Sequence, residues 1–331
     1  MATYLEYNGA NIPIRSSDPT NPVAGEIWYN TSTRTLKGHL YAPGTWASGN
    51  PMVGTPIRAS QSTGSATSAV CNGGVTSTAH VNQTEEWNGT SWSAGNTSST
   101  SGYSRCGFGI QTAAVFLGGQ NGPSTVYNVI EEYDGTNWTT SPGTLAQPTR
   151  SARGTGTQTA GIFASGSDGD PPVKLNQSYT YNGTCVTATN SVPAARDNAM
   201  AGGTSQTSML LYGGDNSGVQ SNTYSWDGTN WTAVNSLNTA DAYGAGTFSS
   251  STSTLKVGTT WPSVSPTEQW DGTCWSTITG LTENRQNGVG SGTGTSAFVA
   301  GGYDNPNPTQ NSNKTELWTG AGPATVTITT S

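Results

Sequence analysis

A six-residue box recurs along almost the whole chain: aromatic, Asp or Asn, Gly, Thr, any residue, aromatic. The clear copies are Trp87–Trp92, Tyr133–Trp138, Trp226–Trp231 and Trp270–Trp275, with a weaker one at Tyr181–Val186. Degenerate copies lie at Tyr41–Trp46 and from Trp318. The first aromatics stand at 41, 87, 133, 181, 226, 270 and 318, so the steps run from 44 to 48 residues. A period of that size marks an array of like supersecondary units, each too small to bury its own apolar face.

Composition separates this array from a disordered linker. Only 9% of the 331 residues are charged and 44 are Gly, but the chain carries 11 Trp and 13 Tyr, spread over the repeats. Disordered chains are poor in aromatics. A net charge of −7 and the lack of any Lys/Arg cluster exclude a nucleic-acid backbone as partner. No apolar run approaches 18 residues, so no membrane insertion is expected. The segment Met1–Glu6 has neither a basic start nor an apolar stretch, so no conventional secretion signal is expected. Cys185 and Cys274 hold one slot of two non-adjacent repeats, and with Cys71 and Cys106 they form neither a disulfide framework nor a metal-ligand spacing.

Within a repeat the order is constant. An Arg-bearing linker leads to a small-residue stretch, an apolar run ending in a Gly pair, and the box. In the second repeat, Gly107–Ile110, Ala113–Leu117 and Val129–Tyr133 read as three strands, and a fourth starts at Trp138. Asp-Gly and Asn-Gly between β-rich runs are hairpin signals, because both residue types tolerate positive φ. Four strands per 40–50 residues describe propeller blades. The Gly-pair ends are Gly73-Gly74, Gly118-Gly119, Ser165-Gly166, Gly213-Gly214, Gly258-Thr259 and Gly301-Gly302. The expectation is an all-β, six-bladed propeller of four-stranded antiparallel blades, starting near 58, 105, 150, 196, 241 and 285. Residues 1–50 form an N-terminal hairpin segment and 51–331 the propeller. Two closures are open: the strand at Trp46 completes the sixth blade, or Ala324–Thr329 does.

The Gly pair after an apolar strand, then a Tyr or Trp, then a spaced Trp, resembles kelch-type propellers over roughly residues 55–322. The run Gly25-Glu26-Ile27-Trp28-Tyr29-Asn30-Thr31, followed by a polar turn and Leu36-Lys37, resembles a hairpin of bacteriophage tail fibres and other virion appendages. That resemblance implies a structural protein on the virion surface, made in the host cytoplasm and oligomeric in the particle. Residues 1–50 would contact other virion proteins, and the propeller would contact a cell-surface glycan or receptor.

The box aromatics Trp87, Trp92, Tyr133, Trp138, Tyr181, Trp226, Trp231, Trp270, Trp275 and Trp318 admit two uses. They could stack on sugars, or wedge between blades; their fixed place at a strand end favours the wedge. The box Thr reads as a turn-stabilising hydroxyl. Catalysis and cofactors are not expected. His39 and His80 are the sole histidines, and neither holds a repeated motif position. The neighbours Glu85-Glu86 and Glu131-Glu132 point to opposite strand faces and make no acid/base dyad. Asp168-Gly169-Asp170 and Asp215-Asn216 read as solvated turns, short of a Ca²⁺ ligand set. Glu85, Glu131, Glu268 and Glu316 share one slot, each followed by the Arg opening the next blade: Arg105, Arg150, Arg285 and, around the ring, Arg58. These pairs are expected to bridge adjacent blades. Two other roles remain open for the whole chain: a capsid or neck decoration protein without a host ligand, and a free propeller lectin.

Overall fold

The structure, a computed structural model, describes residues 12–23, 25–245, 247–258, 266–283, 285–304 and 310–328. Within them every regular element is a β-strand. Residues 1–6 and Thr259 and Thr329, on which parts of the sequence reading fall, lie outside the described residues. The chain divides into two compact units, residues 1–45 with 320–331, and residues 46–319.

In the first unit, Ile27–Asn30 pairs antiparallel with Thr35–Ala42, which forms the expected hairpin. Ile14–Arg15 flanks one side and Gly322–Thr327 the other. Asn30 Oδ1 accepts the N–H groups of Ser32 and Thr33 at 3.0 and 3.1 Å, which closes the turn. Alternation puts Trp28 on the covered face, its indole bonded to Asp18 at 3.0 Å. Ile27, Tyr29 and Leu40 share the opposite, exposed face with Ile14.

The second unit is propeller-like, built from repeated antiparallel sheets. The first contains Gln61–Ser65, Ser68–Val75, His80–Trp87 and Trp92–Gly95 in that order. The second contains Cys106–Ile110, Ala113–Leu117, Ile130–Tyr133 and Trp138–Thr140. The third follows suit. The fourth has four strands in the same order with Thr247–Phe248 added as a fifth, and among the described residues the fifth sheet has three, Thr254–Lys256, Thr267–Trp270 and Trp275–Ile278. The expected four antiparallel strands per blade therefore do not hold in these two. The sixth contains Val289–Gly292, Ser296–Ala300 and Thr315–Thr319, and its edge strand is Thr45–Gly49 from the other end of the chain. The C-terminal run is therefore not the fourth strand of this sheet, since its backbone pairs with Thr35–Ala42 instead. For the same reason the compact units break at residue 45 and at residue 320, whereas sequence reading drew one line at residue 50.

First strands carry small side chains and lie against the first strands of neighbouring sheets, Val289–Gly292 against Gln61–Ser65 included. Second strands such as Ala113–Leu117 are buried on both faces. Five first strands hold a glycine at the same place: Gly64, Gly109, Gly156, Gly203 and Gly292, with φ from 111° to 150°. There a Cβ would strike the carbonyl of the adjoining second strand. The fifth repeat has Phe248 instead, fully buried. A side chain at that point bars the close approach, and Thr247–Phe248 pairs in parallel with Met200–Ser205 of the fourth sheet.

The Gly pair also resolves by position. Its first residue has φ of 60–72° in Gly73, Gly118, Gly213 and Gly301, and Ser165 adopts 63°. Its second residue is glycine in all six repeats, with φ from 90° to 124°. In the fifth repeat this second residue is Gly258, so the pair is Val257-Gly258 rather than Gly258-Thr259. The second residue's N–H donates at 2.8 Å to the linker entering the next repeat, as in Gly74 to Gly102, Gly119 to Thr149 and Gly302 to Ile57.

Candidate functional site

The box is a capped turn. Asp134 Oδ1 accepts the N–H groups of Thr136 at 2.8 Å and Asn137 at 2.6 Å, and Asn88, Asn182, Asp227 and Asp271 do the same in their repeats. The box glycines have φ of 92–98°. The threonine thus serves through its backbone N–H, and the Asx side chain, not the hydroxyl, stabilises the turn.

The box aromatics are packed side chains. Trp87, Trp92, Tyr133, Tyr181, Trp226, Trp231, Trp270, Trp275 and Trp318 are buried, and Trp138 is half-buried. Trp92, Trp138, Trp231 and Trp275 each donate Nε1–H to a hydroxyl on the third strand of a neighbouring sheet, three residues before that strand's box aromatic: Thr315, Thr84, Ser178 and Thr223, at 2.9–3.1 Å. Tyr133 and Tyr181 donate to Glu86 and Glu132 of the preceding sheet at 2.7 Å. These last contacts also explain the glutamate neighbours, whose side chains leave the strand on opposite faces.

The glutamates and arginines pair differently from expectation. Glu85–Arg105, Glu131–Arg150, Glu268–Arg285 and Glu316–Arg58 are not the pairs formed. Arg105 meets Glu131 of its own repeat at 2.7 Å, and Arg285 meets Glu316 at 2.9 Å, all four side chains at most 3% exposed. The reason is the path of the linker. It crosses the third strand of the sheet it is about to enter, so each glutamate caps that linker. Glu85 accepts N–H groups of Val53 and Gly54, Glu131 of Ser99, Glu268 of Asn238 and Thr239, and Glu316 of Thr282. Burial lifts the Glu85 carboxyl above its ordinary range against the pull of those N–H donors. In the fourth repeat Arg196 stacks on Tyr224, its centre 4.7 Å from the ring. In the fifth, Asp241 holds the arginine slot, and buried Lys256 supplies the cation, 2.9 Å from Asp241 and 3.9 Å from Glu268.

Arg58 and Arg150 go elsewhere. Each immediately precedes a residue in left-handed conformation, one of six equivalents: Ala59, Ser104, Ser151, Asn198, Tyr243 and Asn287, with φ of 50–60°. These six are joined to one another through the backbone. Ala59 donates to Asn287, Ser104 to Ala59, Ser151 to Ser104, Tyr243 to Asn198 and Asn287 to Tyr243, at 2.7–3.1 Å. They rim a cavity of about 370 Å³, whose wall also includes Arg58, Tyr103, Gln120, Arg150, Asp197 and Tyr303. That volume suits a small molecule, for which sites span about 300–1,000 Å³.

The cavity wall is ordered and mixed in charge. Arg58 donates to Asn311 at 3.0 Å and lies 4.3 Å over the Tyr303 ring. Arg150 Nε faces Ser167 Oγ at 3.3 Å. His80, which no sequence motif singled out, stacks on Tyr103 with centroids 4.9 Å apart. Burial and nearby Asp197 raise the Tyr243 phenol, so it remains a hydrogen-bond donor. Asp215, read as a solvated turn residue, accepts from Lys174 at 2.8 Å, and Lys174 also lies 3.4 Å from Asp197.

Sequence reading grouped Arg58 and Arg150 with the structural arginines and missed the rest of this wall. One signal was available. Arg58 precedes Gly73, and Arg150 precedes Ser165, by the same fifteen residues, a spacing that Arg105, Arg196 and Arg285 do not share. The rim itself has no common residue type, so no motif marks it. Inter-sheet ties by Gln111 and Gln158, each donating to two carbonyls of the preceding sheet, also went unread. Their signal was a repeated Gln-Thr before the apolar run.

No family model matches the chain, and no curated protein sequence does. Among solved structures, that of YjhT is similar with a TM-score of 0.67 at 11% identity, over 82% of this chain and 99% of that one. At that identity the likeness is one of fold, and it bears out the propeller-like architecture.

Proposed function

We propose that this chain is a non-enzymatic structural protein of a phage virion, a six-bladed propeller that meets a host-surface glycan while the N-terminal sheet attaches to the particle. Closure of the ring by Thr45–Gly49 is part of the proposal. It is supported by bonds that link the last repeat to the first as they link the others: Gly302 to Ile57, Ala59 to Asn287, and Trp92 to Thr315.

The observation that carries the functional reading is the cavity rimmed by six backbone-linked residues, a preformed cup rather than a flat end. Its wall groups are donors, acceptors and rings, the equipment of binding. The exposed apolar face of Ile14, Ile27, Tyr29 and Leu40 supports attachment through the N-terminal sheet. Many copies on a particle would turn weak single contacts into firm adhesion.

The test is electron microscopy of purified particles labelled with an antibody fragment against residues 46–319. Label on fibre, neck or tail supports the proposal. Regular label over the head would favour a decoration protein, and its absence a free lectin.

A further inference from the structure

Of the nine Lys and Arg side chains in residues 46–319, five lie within ion-pair distance of a carboxylate: Arg105, Lys174, Lys256, Arg285 and Lys314. Arg153 and Arg196 are buried and bond backbone carbonyls. The remaining two, Arg58 and Arg150, reach solvent, have no carboxylate within that distance among the described residues, and line the same cavity. In a chain of net charge −7, two uncompensated guanidiniums in one concavity form a place for an external anion.

The same wall holds two acceptor side chains. Gln120 Oε1 is buried without a hydrogen-bond partner, on a side chain 6% exposed, and Asp197, 7% exposed, holds its Oδ1 3.4 Å from the Lys174 ammonium. A buried acceptor left unpaired is costly, and a hydroxyl from a ligand would satisfy it. Tyr103, Tyr243 and Tyr303 add ring surface to the wall.

We infer that the cavity binds a sugar acid, one carboxylate on a polyhydroxylated ring. The carboxylate lies toward Arg58 and Arg150, hydroxyls donate to Gln120 and Asp197, and tyrosine rings meet the apolar C–H face of the sugar. Asp197, in the same wall but outside ion-pair distance of the arginines, shares the single cation Lys174 with Asp215, which leaves one net negative charge at that side of the cavity. That arrangement disfavours phosphate and polyacidic peptides and accepts a single carboxylate carried by a neutral body. The inference rests on the reading of the cavity as a glycan site and deepens it; it does not depend on where in a particle the protein resides.

The test is calorimetric titration of the full chain with glucuronate and galacturonate, against glucose, galactose, inorganic phosphate and an Asp-rich peptide. A uronate should bind at least about tenfold more tightly than its neutral hexose, a difference of about 1.4 kcal/mol. Arg58→Met and Arg150→Met should each remove that preference, with melting curves confirming the fold. Gln120→Leu should weaken uronate and neutral sugar alike, through the lost hydroxyl acceptor. Neutral hexoses binding as tightly as uronates would overturn the sugar-acid inference and leave the glycan reading standing. Phosphate or peptide binding more tightly than uronate would overturn it in favour of a general anion site. Failure of every sugar to bind would sink both.

Discussion

The ion pair between Arg105 and Glu131 is the sharpest test of how this sheet array is held together. Both side chains are 1% exposed, and the guanidinium also donates to Asn72 of the first sheet at 2.8 Å and to the Phe116 carbonyl. Burial lowers the Arg105 pKa, its partner Glu131 opposes that shift, and arginine stays charged throughout. Replacing Arg105 by Ala leaves the Glu131 carboxylate buried beside Ser99 with no cation and leaves a void next to Phe116. Breaking a buried pair from one side costs about 3–5 kcal/mol. For a domain of this size each kcal/mol moves the melting temperature by about 2–4 °C, so Arg105→Ala should melt roughly 6–20 °C below the parent. Equilibrium unfolding in urea gives the free energy directly, and a cycle with Glu131→Ala should yield a coupling near the top of the usual range of about 0.5–3 kcal/mol. Arg58→Ala is the control, since that arginine reaches solvent and has no carboxylate partner. If Arg105→Ala costs no more than about 1 kcal/mol, the value of an exposed pair, the pair is not buried as described and the reasoning fails.

Acid sensitivity should trace in part to the box turns. Backbone N–H donors, Asn137 and Thr136 for Asp134 and their equivalents elsewhere, hold Asp134, Asp227 and Asp271 below the ordinary carboxylate range. A folded pKa below the unfolded value gives stability that is complete above about pH 3.9 and lost as pH falls through the folded pKa. Asn88 and Asn182 already fill this slot, so the triple Asp→Asn variant should fold and lose less stability between about pH 4 and pH 2; an unchanged acid limb in melting curves counts against the assignment. Native alkylation should modify Cys185 and Cys274, which are exposed, and spare Cys71 and Cys106, whose thiols burial pushes up to about 12. Mass spectrometry showing Cys71 or Cys106 labelled as fast as the exposed pair would refute their burial.

Much of the architecture was legible because its causes are local. Asp134-Gly135-Thr136-Asn137 closes its turn with bonds between residues two and three apart, and Gly135 needs its φ of 93° whatever surrounds it. The period of the aromatics, the apolar second strands and the Asn30-capped hairpin follow from the same short-range rules. Partner choice does not. Which linker lies over Glu131 depends on the path between sheets, and the sequence order Glu131 then Arg150 suggested the wrong arginine. The cavity depends on tertiary structure still more. Its rim takes one residue from each repeat, six positions with four residue types, whose shared property is a backbone angle of 50–60°. Short-range rules thus set the repeat unit, its turns and its strands. Only the tertiary structure separated Arg58 and Arg150 from the buried arginines, because a linker shift of one or two residues turns the same side chain from the space between sheets into an open cavity.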